Sequence, residues 1–240
     1  MSHHDDLTRS WILNAQSWVD AVRSGAIQSR RVATDRAVLD LVLSLNPDAV
    51  LDVGCGEGWL CRALSAQSIR VIGVDGSEQL IDAARDLGGA EYHLLDYQTL
   101  ESTPTTTLAG PFDVVVFNFA LLQDDHRPLL RRLRDCLTPS GAIVIQTTHP
   151  WTARGEEIYE DGWRSEDFQS VGSEWKPMPW YFRTLASWVD ELRIAGYLIA
   201  EIREPTQPGE SAPVSLLILG HPVASFAWQP TSSCLPAETH

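Results

Sequence analysis

Residues Leu51–Leu60, LDVGCGEGWL, decide the fold. The stretch leaves an apolar run, Ala49 to Val53, and passes through Gly54, Gly56 and Gly58 into a segment of helical periodicity at 58–67. Glycines at alternate positions between a strand and a helix permit a tight turn and let a ligand come close to the backbone. In an open α/β sheet such a loop lies at the carboxyl end of a strand, where ligands bind. A dinucleotide fingerprint would need glycine at position 59, which is Trp59 here, and no Lys-Ser/Thr pair follows as in a P-loop. A plain turn would need neither three alternating glycines nor Asp52 before them.

Outward from this loop the pattern alternates. Apolar runs at 69–74, 91–95, 112–118 and 141–146 are separated by helix-like segments at 77–87 and 126–137. A further helix at 185–195, ended by Gly196, precedes runs at 197–202 and 214–220. Strands that are apolar throughout imply a parallel sheet covered on both faces, so the expected fold is a doubly wound α/β domain over 47–222. Upstream, Trp11, Ala15, Trp18, Val19 and Val22 recur at spacings of three and four, and a second helix at 30–45 closes at Asn46-Pro47. Residues 1–46 are therefore expected to be cap helices, and 223–240 a loose tail. Residues 150–184 interrupt the rhythm as an insertion after the fifth strand, and Trp151, Trp163, Trp175, Trp180 and Trp188 fall within or just after it. Long loops in compact domains are functional or disordered, and disorder is poor in aromatics. An ordered lid over a site is the favoured reading, with rings packed on the core edge as the alternative.

Composition narrows the ligand. A net charge of −14 argues against a phosphate-backbone partner and towards a small molecule. No apolar run is long enough for a bilayer and the N-terminus lacks a basic-then-apolar leader, so a cytoplasmic protein without a membrane anchor is expected. Cys55, Cys61, Cys136 and Cys234 show no metal spacing and read as reduced thiols. No His/Asp/Glu grouping has metal-site spacing, so no metal is expected.

The strand ends collect the chemistry. Asp75 ends the second strand about twenty residues past the loop, the position from which a carboxylate reaches ribose hydroxyls. Asp96 and Tyr97 end the third, Asn118, Phe119 and Ala120 the fourth, and His149 the fifth in the stretch TTHPW. An imidazole there has three possible roles: proton acceptor, substrate clamp or shaper of the turn before Pro150. His126 is read as part of a helix start beside Asp124 and Asp125, and His93 as a core-edge residue. His3 and His4 are read as part of a flexible N-terminus. Tyr181, Arg183 and Thr184 could face an acceptor from the lid side, Arg183 as a fork for a carboxylate or simply as a salt-bridge partner.

With these motifs in view the chain resembles the class I S-adenosylmethionine-dependent methyltransferases over about 47–222. LDVGCGEG matches that family's first motif, E/D-x-G-x-G-x-G. The resemblance implies a Rossmann-like sheet of seven strands, the last antiparallel, and S-adenosylmethionine as cofactor. It implies that Asp52 supports the loop and the methionine end. Gly54, Cys55, Gly56 and Gly58 then approach the cofactor, with Asp75 and Gly76 at the ribose. Asp96 and Tyr97 would lie at the adenine, and Asn118 and Phe119 would face both cofactor and acceptor. Small-molecule enzymes of the ubiquinone- and menaquinone-biosynthesis type are the nearest likeness, through His-Pro after strand five, Tyr181 to Tyr197, and Arg203 to Pro205. The expected function is methyl transfer to an oxygen or nitrogen of a small molecule by a monomer or homodimer. His149 is the candidate catalytic group, with Trp151, Tyr181 and Arg183 at the acceptor. A catalytically silent cofactor-binding or interaction protein and an NAD(P)-dependent oxidoreductase are the alternatives.

Overall fold

The computed structural model describes residues 3–102, 108–168, 171 and 175–223. The expected tail, with Cys234, lies outside them apart from residue 223. The central sheet contains β1 (Ala49–Val53), β2 (Arg70–Asp75), β3 (Glu91–Leu94), β4 (Phe112–Asn118), β5 (Leu137–Thr148), β8 (Tyr197–Arg203) and β9 (Ser215–Pro222). Their order is β3-β2-β1-β4-β5-β9-β8. β1 to β5 pair in parallel, whereas β9 runs antiparallel to both β5 and β8. This is the seven-stranded doubly wound sheet that the alternating pattern implied.

Side chains alternate between two cores because successive strand residues point to opposite faces. Leu51, Val53, Val115, Phe117, Ile143 and Ile145 face one layer, which includes α6 (Arg127–Arg134) and α8 (Leu185–Ala195). Val50, Val114, Val116, Ala142 and Val144 face the other, with α3 (Trp59–Ser65) and α4 (Glu78–Leu87). α2 (Asp35–Ser44) belongs to this second layer, since Val38, Leu41 and Val42 are fully buried within it. Three apolar residues on one helix face hold α2 against the sheet. A π-helical turn, Arg30–Thr34, leads into it and was not anticipated.

α1 (His3–Ser24) packs against α4 and against the insertion after β5. Ala15 and Val19 pack on Leu80 of α4, with Trp11 and Trp18 alongside. His3, expected in a flexible terminus, stacks on Trp163 at 4.7 Å, and His4 Nε2 lies 2.8 Å from Asp124 Oδ1. Asp5 and Asp6 in the first turn complement the positive end of the helix. These contacts extend the helix to residue 3 and correct that expectation.

The insertion is ordered where described. α7 (Pro150–Ala153) follows β5, and β6 (Gly162–Glu166) pairs antiparallel with β7 (Met178–Phe182). The tryptophans within and just after it differ in burial. Trp188 is buried in the core and Trp175 packs on Trp18 at 4.9 Å, whereas Trp151 is 60 % exposed. Asn14 ties α1 to the hairpin's base: Nδ2 donates to the Lys176 carbonyl at 2.9 Å and Oδ1 accepts from its N–H at 2.8 Å. Among the described residues no helix is long and apolar enough to cross a membrane. Asn14→Ala removes both bonds and should cost about 1–3 kcal/mol, read as a lower melting temperature with faster hydrogen exchange confined to α1 and 175–182.

Candidate active site

The glycine loop is held from two sides. Gly54 and Cys55 N–H groups both donate to the Val74 carbonyl, at 2.8 and 3.0 Å, which pins the loop to the end of β2. At Gly54, with φ +77°, a Cβ would stand 2.5 Å from the Ala120 Cβ and 3.3 Å from the Tyr97 hydroxyl, so any side chain would collide with the β4 edge. Gly56, with φ +56°, is the opposite case. A Cβ there would meet nothing within 4 Å, so the crest of the loop is open to a ligand.

Asp75 connects the loop to β2. Its Oδ2 accepts from Gly56 N–H at 2.9 Å and its Oδ1 from Ser77 N–H at 2.8 Å. Gly76 lets the ends of β2 and β3 converge, since a Cβ there would come within 3.2 Å of the Asp96 Cβ. Asp96 is exposed, and its Oδ1 caps α5 (Tyr97–Ser102) by accepting from Thr99 N–H at 2.7 Å. Tyr97 spans the edge towards β4, where its hydroxyl donates to the Ala120 carbonyl at 2.8 Å. Burial pushes this phenol above its ordinary range, so it stays protonated at neutral pH.

Beneath the loop lies Asp52, buried on the face that carries α3. Its Oδ2 accepts from Cys61 Sγ at 3.2 Å, while Oδ1 has no partner among the described residues. Burial is the main cause that raises its pKa to about 7, the Cys61 bond works against it, and the Asp75 charge adds to it. Asp75 is also raised, chiefly by burial, against the Ser77 and Gly56 N–H bonds that favour its charged form. Two crowded carboxyls under an open glycine crest suit a ligand with positive charge and hydroxyl donors. An adenosyl sulfonium carrying an amino group fits that set. The sign of the linkage follows from the raised Asp52 pKa: its contribution to stability is full below about pH 4 and declines as pH rises through about 7. Asp52→Asn should flatten that decline in melting temperature measured across pH 4–8 on the unliganded protein.

The β4 edge is strained and cross-braced. Phe119 adopts φ +56°, a left-handed conformation that costs a non-glycine residue on the order of 1–3 kcal/mol. Its N–H donates to the Gln146 carbonyl at 2.7 Å. The Gln146 side-chain amide donates to Asn118 Oδ1 at 2.8 Å and to the Thr34 carbonyl at 3.1 Å. Neither Gln146 nor Thr34 was singled out in the sequence, because each reads as an ordinary strand or helix residue until the two elements meet.

Two further candidates, His149 and Arg183, are both buried. His149 is buried at the cap of α7: its Nδ1 accepts from Trp151 N–H at 3.2 Å and its Nε2 lies 2.8 Å from Glu204 Oε1. An Nδ1 that accepts leaves the proton on Nε2, facing Glu204, so neither nitrogen is free to take a proton from an acceptor. These bonds fit the turn-forming role of the three considered. Glu204 lies within the acidic-proline stretch noted above, yet nothing local tied it to His149. Arg183 is engaged through both Nη atoms, while its buried Nε has no partner among the described residues. It is buried, with Nη1 3.4 Å from Glu191 Oε1 and Nη2 donating to the Gln123 carbonyl at 3.2 Å. These contacts match the salt-bridge alternative, in a buried form.

The remaining candidates stand nearer the surface. Tyr181 is half-buried, its N–H donates to the Leu122 carbonyl at 2.8 Å, and its ring meets Trp163 edge-on. Trp151 is exposed, with Arg154 4.3 Å over its ring. His126 occupies the helix start as expected, stacked on Trp188, and burial pulls its pKa down to about 3. His93 is half-buried and bonds Glu91. Among the described residues no group of His, Cys, Asp and Glu could hold a metal ion.

Residues 50–141 match the methyltransferase domain family. An uncharacterised methyltransferase of Schizosaccharomyces pombe is 27 % identical over 190 residues, covering 70 % of this chain and 67 % of that one. A ubiquinone biosynthesis O-methyltransferase of Coxiella burnetii is 32 % identical over 107 residues, 44 % of this chain and 45 % of the relative. In fold, the chain is similar to a solved DhpI–S-adenosylhomocysteine complex, with a TM-score of 0.61, 18 % identity and coverage of 94 % of this chain and 100 % of that one. With its E/D-x-G-x-G-x-G loop, Asp75 at the next strand end and the β3-β2-β1-β4-β5-β9-β8 sheet, the chain belongs to the class I S-adenosylmethionine-dependent methyltransferases.

Proposed function

We propose that this enzyme methylates an oxygen or nitrogen of a small-molecule acceptor. The observation that carries the reading is the open crest at Gly56, bound to Asp75, together with an aromatic hairpin tied to the loop after β4. When bound, S-adenosylmethionine supplies a methyl group already activated by the positive sulfur. Gly54, Cys55, Gly56 and Gly58 would present backbone to it, Asp75 and Gly76 would meet the ribose, and Asp96 and Tyr97 would border the adenine. Asp52 would balance the positive methionine end, and Asn118 and Phe119 would line the path to the acceptor. Trp151 and Tyr181 are proposed as acceptor contacts that exclude water. The net charge of −14 supports a small acceptor over nucleic acid. The ubiquinone O-methyltransferase relative supports the same class.

The chain's own contribution would be positioning: holding donor carbon and acceptor near ~3–3.5 Å in line. No base is assigned, because His149 is spent on α7 and Glu204 and the Tyr97 phenol stays protonated. The favoured acceptors are therefore those whose lone pair is available without a protein base, such as an uncharged amine or an already ionised hydroxyl. A silent binding protein is the second reading, favoured by the same lack of a free base. Turnover of any amine, phenol or carboxylate in a broad panel would exclude it.

Asp75→Ala should weaken S-adenosylhomocysteine binding by at least tenfold in calorimetry, about the loss of one charged hydrogen-bond acceptor; unchanged affinity would sink the placement of the ribose. His149→Gln should lower turnover by less than about threefold and leave the pH–rate profile in place. A drop of 10²-fold or more, the scale of general-base catalysis, would restore His149 as the base.

A further inference from the structure

Arg30 is the first residue of the π-helical turn, and π-turns frequently mark functional positions. The Asp35 N–H closes the turn on the Arg30 carbonyl, and Asp35 Oδ1 accepts from Arg30 Nε at 2.9 Å. The guanidinium is therefore oriented from behind. It lies 5.0 Å over the ring of Trp59, which follows the last glycine of the loop. Its Nη2 is buried and has no acceptor among the described residues. At the far end of the turn, the Thr34 carbonyl accepts from Gln146, which fixes the turn to the carboxyl edge of β5.

The other arginines beside the loop are committed. Arg62 donates to the Glu57 carbonyl and its Oε2, and Arg23 to Glu57 Oε2 and the Ala83 carbonyl. A buried cationic N–H without an acceptor is costly, and so is a buried carboxylate oxygen without a donor. Arg30 Nη2 is the first and Asp52 Oδ1 the second, both on the side of the sheet that carries α2 and α3. An α-amino acid group answers both, with a carboxylate for the guanidinium and an ammonium for the carboxylate.

We infer that Arg30 binds the α-carboxylate of the cofactor's methionine moiety, as a positioning residue supplied by the turn before α2. The inference rests on the assignment of the cofactor site. Calorimetry on the full chain, its R30A and its R30K variants should compare S-adenosylhomocysteine with 5′-methylthioadenosine, which lacks the amino-acid end. R30A should lose roughly tenfold or more in affinity for S-adenosylhomocysteine, hold 5′-methylthioadenosine within about twofold, and be partly rescued by R30K. A general loosening of the fold would lower both affinities together, and that result overturns the inference, as does unchanged S-adenosylhomocysteine binding. Wild-type protein that binds neither compound would instead refute the cofactor site itself. Wild-type protein that binds 5′-methylthioadenosine as tightly as S-adenosylhomocysteine would refute the carboxylate contact alone.

Discussion

Asp75 receives backbone N–H groups from both sides, from Gly56 in the loop and from Ser77 at the cap of α4. The arrangement of the site depends on that one carboxylate. It couples the end of β2 to the loop after β1, while Gly54 presses the other flank of the loop against Ala120. Charge opposes geometry here. Burial favours the protonated acid, and the converging N–H dipoles favour the anion. A carboxylate oxygen has more than one lone pair, so each can serve the fold and still accept from a ligand. The same economy appears at Asp96, where one oxygen caps α5 on an exposed edge.

The acceptor half is braced differently. Arg183, Glu191, His126 and Trp188 form a buried frame behind the hairpin, in which burial raises the Glu191 carboxyl despite Arg183 and Arg127 nearby. Its desolvation is thus incompletely offset, and such a pair contributes less to net stability than to a fixed arrangement of elements. The frame joins α8 to the loop after β4, and the Tyr181 N–H joins the hairpin to that same loop.

Local pattern made much of the cofactor half legible. A strand, three alternating glycines and a helix occupy seventeen consecutive residues, 49–65, and Asp75 follows at a distance set by one α/β unit. α8 could be bounded from sequence because Gly196 ends it with φ +86°. What stayed hidden depends on partners far along the chain. Glu204 stands 55 positions from His149, and Lys176 stands 162 positions from Asn14. His3 and His4 looked inert because polar terminal residues carry no periodicity, and only the hairpin gives His3 a ring to stack on. The early start of β5 at Leu137 was missed for another reason. Thr138-Pro139-Ser140-Gly141 has turn chemistry, and the strand accommodates it by a register shift against β4 between Phe112 and Val114.

α1 has its partners spread along its whole length: Asp124 for His4, Lys176 for Asn14, and Glu57 for Arg23. Twenty-two residues of helix extend about 33 Å, so one rigid rod measures the distance from the acceptor-side loop to the glycine loop. Each residue added or removed inside it would turn everything beyond by about 100° and point one set of these side chains away from its partner. Exposed positions such as Ile12 and Leu13 are free to vary in identity. The number of residues between His4 and Arg23 is not free, and the spacing of this helix is as much a part of the site as any side chain on the sheet.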